Sequence, residues 1–220
     1  MDPFCGCGTA IAVAEKLHRR WIGIDVTHLA ITLIRHRLTN AFKSQLAPYE
    51  IIGSPSDLEG AKVLASDKDR YQFQYWALGL VDAKPQHDDR KKGADKGIDG
   101  IIPFFDDGTG KVKKAIIQVK SGAVKRSDIA TLKSDVDREK AQIGIFITME
   151  HATRQMTEEA VTAGFYEPLY GKPIPKIQIL TIEDLLNGKR IELPNYSPSE
   201  SFKKAPKQTK GNVPEQGSLL

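Results

Sequence analysis

The arrangement of apolar positions between residues 68 and 187 predicts strands and helices in a definite order. Strands should show alternation or short continuous apolar runs, and helices should show a spacing of three to four residues. The predicted elements are a helix at 68–81, strands at 98–105 and 112–120 around the turn-forming DDGTG, a helix near Ser127, a strand at 143–148, a helix from Thr153 to Ala163, a strand at 176–181 and a short helix after it.

The boundaries of these helices are predicted from capping residues. Ser127, Thr153 and Thr181 are suitable N-caps, and Gly164 and Gly188 follow the ends of two helices. The order of β-hairpin, helix, strand, helix and strand implies an α/β fold, a mixed β-sheet flanked by helices.

Composition changes along the chain predict four segments. Residues 1–46 form an N-terminal fragment, and the Pro- and Gly-containing segment 47–60 is a connector. Residues 61–193 form the main domain. The tail, 194–220, is rich in Ser, Pro, Lys and Gln and is expected to be disordered.

The overall composition permits several classes of protein. The 220 residues are 40% hydrophobic, enough for one full core, and the net charge is only +4. Basic residues cluster at HRR, RHR, DRKK and KVKK. Such clusters are typical of nucleic-acid binding and also of an ordinary solvated surface, and composition does not separate the two.

The cysteine count and the hydropathy of the sequence indicate where in the cell the protein is expected to be found. Cys5 and Cys7 are too few for a disulfide framework or a four-ligand zinc site, which fits a reducing environment. No apolar run approaches the roughly 20 residues of a membrane span. We therefore expect a soluble, cytoplasmic protein without a membrane partner.

Candidate chemistry lies in the predicted hairpin. Pairing Phe105 with Val112 sets Asp99 opposite Gln118. Side chains alternate along a strand, so Gln118 and Lys120 share a face with Asp99. A buried aspartate beside a lysine requires a partner or a metal.

Two explanations fit this arrangement. Oxygens of Asp99, Gln118 and the Val119 carbonyl could hold Mg²⁺ for phosphodiester hydrolysis, with Lys120 orienting water or neutralising charge. The other explanation is an Asp–Lys salt bridge in the sheet, which the spacing alone favours.

The phrases GIDG and QVK, separated by a hairpin, resemble the core of PD-(D/E)xK nucleases, in particular the Mrr-like restriction endonucleases. The order of the downstream elements agrees over about residues 60–190. The resemblance implies a restriction-endonuclease-like core in which Asp99 binds metal, Gln118 is the second site residue and Lys120 is catalytic. The helix at 68–81 lacks the acidic residue of many relatives; Asp95 could replace it or could serve a loop turn.

The N-terminal segment DPFCGCGTAIAVAEKLHRRWIGIDV resembles the S-adenosylmethionine-binding motif of amino-type DNA methyltransferases. By that resemblance Asp2, Gly6, Gly8 and Asp25 would contact the cofactor within an incomplete Rossmann-like fragment. The catalytic Asp/Asn/Ser-Pro-Pro-Tyr/Trp tetrapeptide is absent from the sequence. We expect cofactor binding only in a complete parent methyltransferase, and poor order or adhesiveness of residues 1–46.

The sequence thus predicts a Mg²⁺-dependent DNA endonuclease fused to a methyltransferase fragment, as part of a restriction–modification protein. Double-stranded DNA is the expected partner, and a homodimer would provide two sites for two strands. The alternatives are an inactive nuclease-fold DNA-binding module and a truncated piece of a site-specific DNA methyltransferase.

Overall fold

The computed structural model describes residues 1–66, 70–86, 97–106, 111–169 and 171–194. The helices are α1 Thr9–Lys16, α2 His28–Phe42, α3 Leu58–Ala65, α4 Arg70–Leu80, α5 Arg126–Arg138, α6 Arg154–Val161 and α7 Ile182–Leu186. The strands are β1 Lys84–Pro85, β2 Gly100–Phe104, β3 Lys113–Lys120, β4 Ile143–Thr148, β5 Phe165–Tyr166, β6 Ile174–Pro175 and β7 Ile177–Thr181. No helix in these ranges is long and apolar enough to cross a membrane.

A five-stranded mixed sheet forms the centre of the fold, in the order β1-β2-β3-β4-β7. Strands β1, β2 and β3 pair antiparallel, whereas β3, β4 and β7 run parallel. The short strands β5 and β6 form a separate antiparallel pair. The predicted α/β class with a mixed sheet flanked by helices is confirmed.

Both faces of the sheet are covered, which explains the continuous apolar run of β4. Ile145 and Ile147 belong to a core cluster that includes residues of α4 and α7. Phe146 points to the opposite face, where it clusters with Leu132 of α5 and Met156 of α6. Every residue of β4 is buried, as expected for a central strand with helices on both sides.

The capping predictions are confirmed for two helices and wrong for one. The Thr153 and Thr181 side chains accept hydrogen bonds from backbone N–H groups in the first turns of α6 and α7. Helix α5 instead begins at Arg126, so Ser127 lies inside its first turn. The Asp128 carboxylate accepts the backbone N–H of Lys125, which stabilises the earlier start.

The N-terminal segment packs on the main domain through α2 and α4. The Gln72 side chain accepts the backbone N–H of His28, at 3.1 Å. Gly79 allows close contact, because a Cβ atom there would lie 2.6 Å from Thr32 Oγ1. At the other end, His36 Nε2 is 3.2 Å from Asp82 Oδ1.

The first 26 residues form a small parallel arrangement beside α2. Asp2 forms an isolated parallel bridge with Gly23, and its N–H and C=O bond to Ile22 and Ile24. Ile22 and Ile24 keep 63% and 49% of their surface exposed, so an apolar face remains open on this segment. Helix α3 begins at Leu58, inside the segment predicted as a connector.

Candidate functional site

The register of the β2–β3 hairpin agrees with the alignment expected from the sequence. Gly100 pairs with Ile117, and the Asp99 N–H bonds to the Ile117 carbonyl at 2.9 Å. One residue further, Asp99 lies opposite Gln118. Because side chains alternate along β3, Gln118 and Lys120 project from the same face of the sheet.

The Asp99 carboxylate is used locally to hold the end of β3. Its Oδ2 atom accepts the backbone N–H of Val119 at 2.6 Å. Asp99 is half-buried, and this short bond joins its side chain to the strand that carries the other predicted site residues. One of the oxygens expected to bind metal therefore stabilises the hairpin.

Gln118 is buried and hydrogen-bonded to a residue that the sequence analysis missed. Its Nε2 donates to Asp135 Oδ2 at 2.8 Å, and Asp135 on α5 is 2% exposed. Asp135 Oδ1 also pairs with Arg138 Nη1 at 2.5 Å. A carboxylate with these two partners is compensated, so the Gln118 amide and α5 are joined by a buried polar link.

A signal for Asp135 was present in the sequence. The apolar face of α5 includes Leu132 and Val136, and Asp135 lies between them in a position that also faces the sheet. An acidic residue at a core-facing helical position requires a buried partner. Gln118 is that partner, together with Arg138.

Lys120 ends β3 at the carboxyl edge of the parallel strands. It is exposed, and its amine has no ion pair or side-chain hydrogen bond with any part of the chain that the structure describes. In register, Lys120 lies beside Thr148 of β4, and Thr148 lies beside Thr181 of β7. The predicted Asp99–Lys120 site thus contains a solvent-facing cation at a strand end.

The described residues at this position do not form a cluster of acidic metal ligands. Mg²⁺ prefers several oxygen ligands in octahedral geometry. Helix α4, RYQFQYWALGL, contains no Asp or Glu, and among the described residues no three His, Cys, Asp or Glu side chains group as a metal site. Asp95 lies outside the described residues. The ligand roles assigned to Asp99, Gln118 and Val119 stay predictions.

The N-terminal glycine turn is stabilised by internal hydrogen bonds. Asp25 accepts the N–H of Gly6 at 2.9 Å and both the N–H and hydroxyl of Thr27. Burial raises the pKa of Asp25, but these hydrogen bonds outweigh it and leave the pKa below its ordinary value. Gly8 has a φ of +75° and no room for a Cβ atom, which would lie 2.6 Å from Ile34.

The four residues predicted to contact a cofactor form hydrogen bonds within the N-terminal segment. Asp2 bonds through its backbone to Ile22 and Ile24, and Gly6 and Asp25 bond to each other. The Gly8 N–H donates to the Cys5 carbonyl at 2.7 Å. Their role in binding a cofactor stays a prediction.

Comparison with known proteins relates the main domain to restriction endonucleases. Residues 80–187 match the family model described as NACHT-associated inactive Restriction Endonuclease 1. A structure of the restriction endonuclease FokI bound to DNA has a TM-score of 0.39 and 11% sequence identity, covering 78% of this chain and 33% of that chain. The chain thus spans about a third of that protein's length. No curated protein sequence matches.

These comparisons correct the functional expectation. The restriction-endonuclease-like fold is confirmed, at a coarser level than the Mrr-like assignment. The expectation of a Mg²⁺-dependent endonuclease is wrong, because the matching family is described as inactive. That match also contains all of Asp99, Gln118 and Lys120. The matches give no support to a methyltransferase fragment or a restriction–modification fusion.

Proposed function

We propose that the chain is a nuclease-fold module that binds duplex DNA without cutting it. The observation that carries the proposal is the buried hydrogen bond between Gln118 and Asp135. The Gln118 amide, which the predicted site needs at the surface, is buried and bonded to Asp135 of α5. The similarity of residues 80–187 to an inactive family supports the same conclusion.

The binding surface that we propose is the carboxyl edge of β3 and β4. Both strands lead into helices, α5 and α6, whose N-terminal ends therefore lie at this edge. Helix N-termini present N–H groups and partial positive charge, which favour phosphate. Basic residues at this edge would supply the electrostatic part of DNA binding.

Two lysines at this edge are available for phosphate contacts. Lys120 and Lys125 are exposed and form no ion pair with a described residue. Arg126, next in the chain, is different, because its guanidinium pairs with Glu159 at 2.7 Å. The proposal therefore assigns the first phosphate contacts to Lys120 and Lys125.

A duplex-binding titration tests the proposal. Fluorescence anisotropy should show binding of a labelled duplex that weakens with salt, and replacing both lysines by Ala should reduce the slope of log K against log salt by about 2. The matched control replaces Lys140 and Lys172, two exposed lysines that do not lie at this edge, and should leave the slope unchanged.

The same protein should be incubated with supercoiled plasmid and Mg²⁺ or Mn²⁺. Intact plasmid is expected at every protein concentration. Nicking that disappears in the Lys120→Ala variant would refute the non-cutting part of the proposal. Absence of duplex binding at low salt, or equal losses in the control pair, would refute the binding part.

A further inference from the structure

A cavity of about 760 Å³ lies in the N-terminal part of the molecule, away from the Asp99–Gln118 position. It is bounded by α1, the segment 21–25, α2 and the segment 47–52. Its apolar lining comes mainly from isoleucines: Ile11, Ile22, Ile24, Ile31, Ile34 and Ile51. Small-molecule sites commonly have volumes of roughly 300–1,000 Å³ and apolar walls with a few polar groups.

One carboxylate connects three walls of this cavity. Glu15 of α1 accepts the indole N–H of Trp21 at 2.8 Å and the backbone N–H of Ala47 at 3.0 Å. The hydrogen bond from Trp21, followed by that from Ala47, lowers the pKa of Glu15. The Glu15 carboxylate thus fixes the cavity walls without a ligand.

Aromatic rings form part of the lining. Trp21 and Tyr49 have ring centroids 5.7 Å apart and planes tilted by 47°. Both side chains are half-buried, and the indole nitrogen of Trp21 is already directed at Glu15. Rings held in this way offer contact area to a planar ligand at little cost in conformational entropy.

Three arginines also line the cavity without a partner among the described residues: Arg19, Arg20 and Arg35. By contrast, Arg37 on the same helix as Arg35 hydrogen-bonds Thr9 and Cys7. The carboxylates in the lining are Glu15 and Asp25, both hydrogen-bonded internally, and the exposed Glu50. The arginines and carboxylates of the lining balance in number, but Glu15 and Asp25 already accept hydrogen bonds from the chain, whereas the three guanidiniums have no partner among the described residues.

We propose that this cavity binds a small anion that carries an aromatic ring, of the nucleoside monophosphate class. The base would contact the Trp21 and Tyr49 rings, and the phosphate would take charge-assisted hydrogen bonds from the guanidiniums. Of the four cofactor contacts predicted from the sequence, Asp25 lines this cavity, whereas Asp2, Gly6 and Gly8 do not.

Tryptophan fluorescence provides a direct assay. The chain has two tryptophans, and Trp76 is buried in the core with 5% exposure. Titration with adenosine monophosphate should quench Trp21 with a Kd of about 0.1 mM, and adenosine and inorganic phosphate should each bind at least about tenfold more weakly. The Trp21→Phe variant should lose the fluorescence signal, and calorimetry should show weaker binding, because the variant has a smaller ring and lacks the indole N–H that bonds to Glu15.

Single Arg19→Ala, Arg20→Ala and Arg35→Ala variants identify the anion contacts. At least one should weaken binding of adenosine monophosphate about tenfold without changing that of adenosine. Arg190→Ala is the matched control, because Arg190 is exposed and lies outside the cavity. Replacing Lys120 and Lys125 should also leave this titration unchanged, which separates the cavity from the proposed DNA surface.

Several outcomes would overturn the proposal. The absence of a saturable signal with adenosine monophosphate up to about 10 mM would do so, because the guanidiniums would then contribute no useful binding energy to the phosphate. Equal affinities for adenosine and adenosine monophosphate would show that the phosphate is not recognised, which would contradict the proposed anion site. Self-association that Ile24→Asp abolishes, without nucleotide binding, would instead assign the apolar face to a second copy of the chain.

Discussion

The buried link between Gln118 and Asp135 makes the Gln118→Glu substitution informative. The change restores an acidic residue at the nuclease position with almost no change in volume. It also directs a second carboxylate at Asp135, since both side chains are nearly inaccessible, at 3% and 2% exposure. We expect loss of stability and no gain of cleavage.

The magnitude follows from the bonds that are lost. A buried hydrogen bond to a charged acceptor contributes about 2 kcal/mol. If the introduced carboxyl instead stays protonated and keeps a hydrogen bond to Asp135, the cost at pH 8 is about 1.36 kcal/mol for each pH unit above its unfolded pKa of about 4.3, or about 5 kcal/mol. The expected decrease in the free energy of unfolding at pH 8 therefore lies between about 2 and 5 kcal/mol.

The pH dependence has a definite sign. The like charge of Asp135 and burial would raise the folded-state pKa of the introduced carboxyl, so the destabilisation is absent below the unfolded pKa, near about 4.3, and grows as pH rises. Near pH 4.5 the introduced carboxyl is protonated and can donate a hydrogen bond to Asp135. The difference from the unsubstituted protein should fall there to less than about 1 kcal/mol.

Urea denaturation at pH 4.5 and pH 8 measures this difference. The control is the double variant Gln118→Glu and Asp135→Asn, which exchanges acid and amide and should recover most of the stability at pH 8. Equal stability of the single variant and the unsubstituted protein at pH 8 would refute the reasoning. Mg²⁺-dependent plasmid nicking by the single variant would do the same.

Three further predictions concern packing and charge elsewhere. Gly79→Ala should lower the free energy of unfolding in urea by about 2 kcal/mol, because the new Cβ atom would overlap Thr32 Oγ1. Adding Thr32→Ala should recover most of this loss. A single variant as stable as the unsubstituted protein would contradict the α2–α4 contact. Lys113→Met should lower the free energy of unfolding by about 3–5 kcal/mol, because Asp106 is buried and its Oδ1 is 2.5 Å from Lys113 Nζ. The control Lys140→Met, at an exposed lysine, should cause no measurable loss of stability. Burial lowers the pKa of His36 although Asp82 opposes this effect, so the His36 contribution to stability is lost as pH falls from 7 to 5. In denaturation experiments the His36→Gln variant should therefore lose less stability over this pH range than the unsubstituted protein. An equal loss in both proteins would exclude His36 as its origin.

The sequence was sufficient for four of the five strands of the main sheet and for the position of the predicted site, but it did not predict β1. The apolar run at 143–148 predicted a strand that is buried on both faces, and pairing Phe105 with Val112 predicted the hairpin register that places Asp99 opposite Gln118. These features depend on neighbouring residues and on side-chain alternation, which a single sequence displays directly.

The direction of the Gln118 side chain could not be predicted in the same way. Its partner, Asp135, is 17 residues distant, and the two meet only because α5 packs on this face of the sheet. The resemblance to active nucleases favoured a metal role for Gln118, since the motif does not show which way an amide faces. The prediction of an enzyme was wrong because the matching family is described as inactive, which the motif residues do not reveal.

The contact of α2 with α4 has a practical consequence for moving the nuclease-like part into another protein. A graft of residues 61–193 alone would leave Gly79 facing water, and Gln72 and Asp82 would lose their α2 partners. The recipient would need to supply a helix of matching shape, with a small hydroxyl side chain where Thr32 now lies. The transferable unit therefore includes α2.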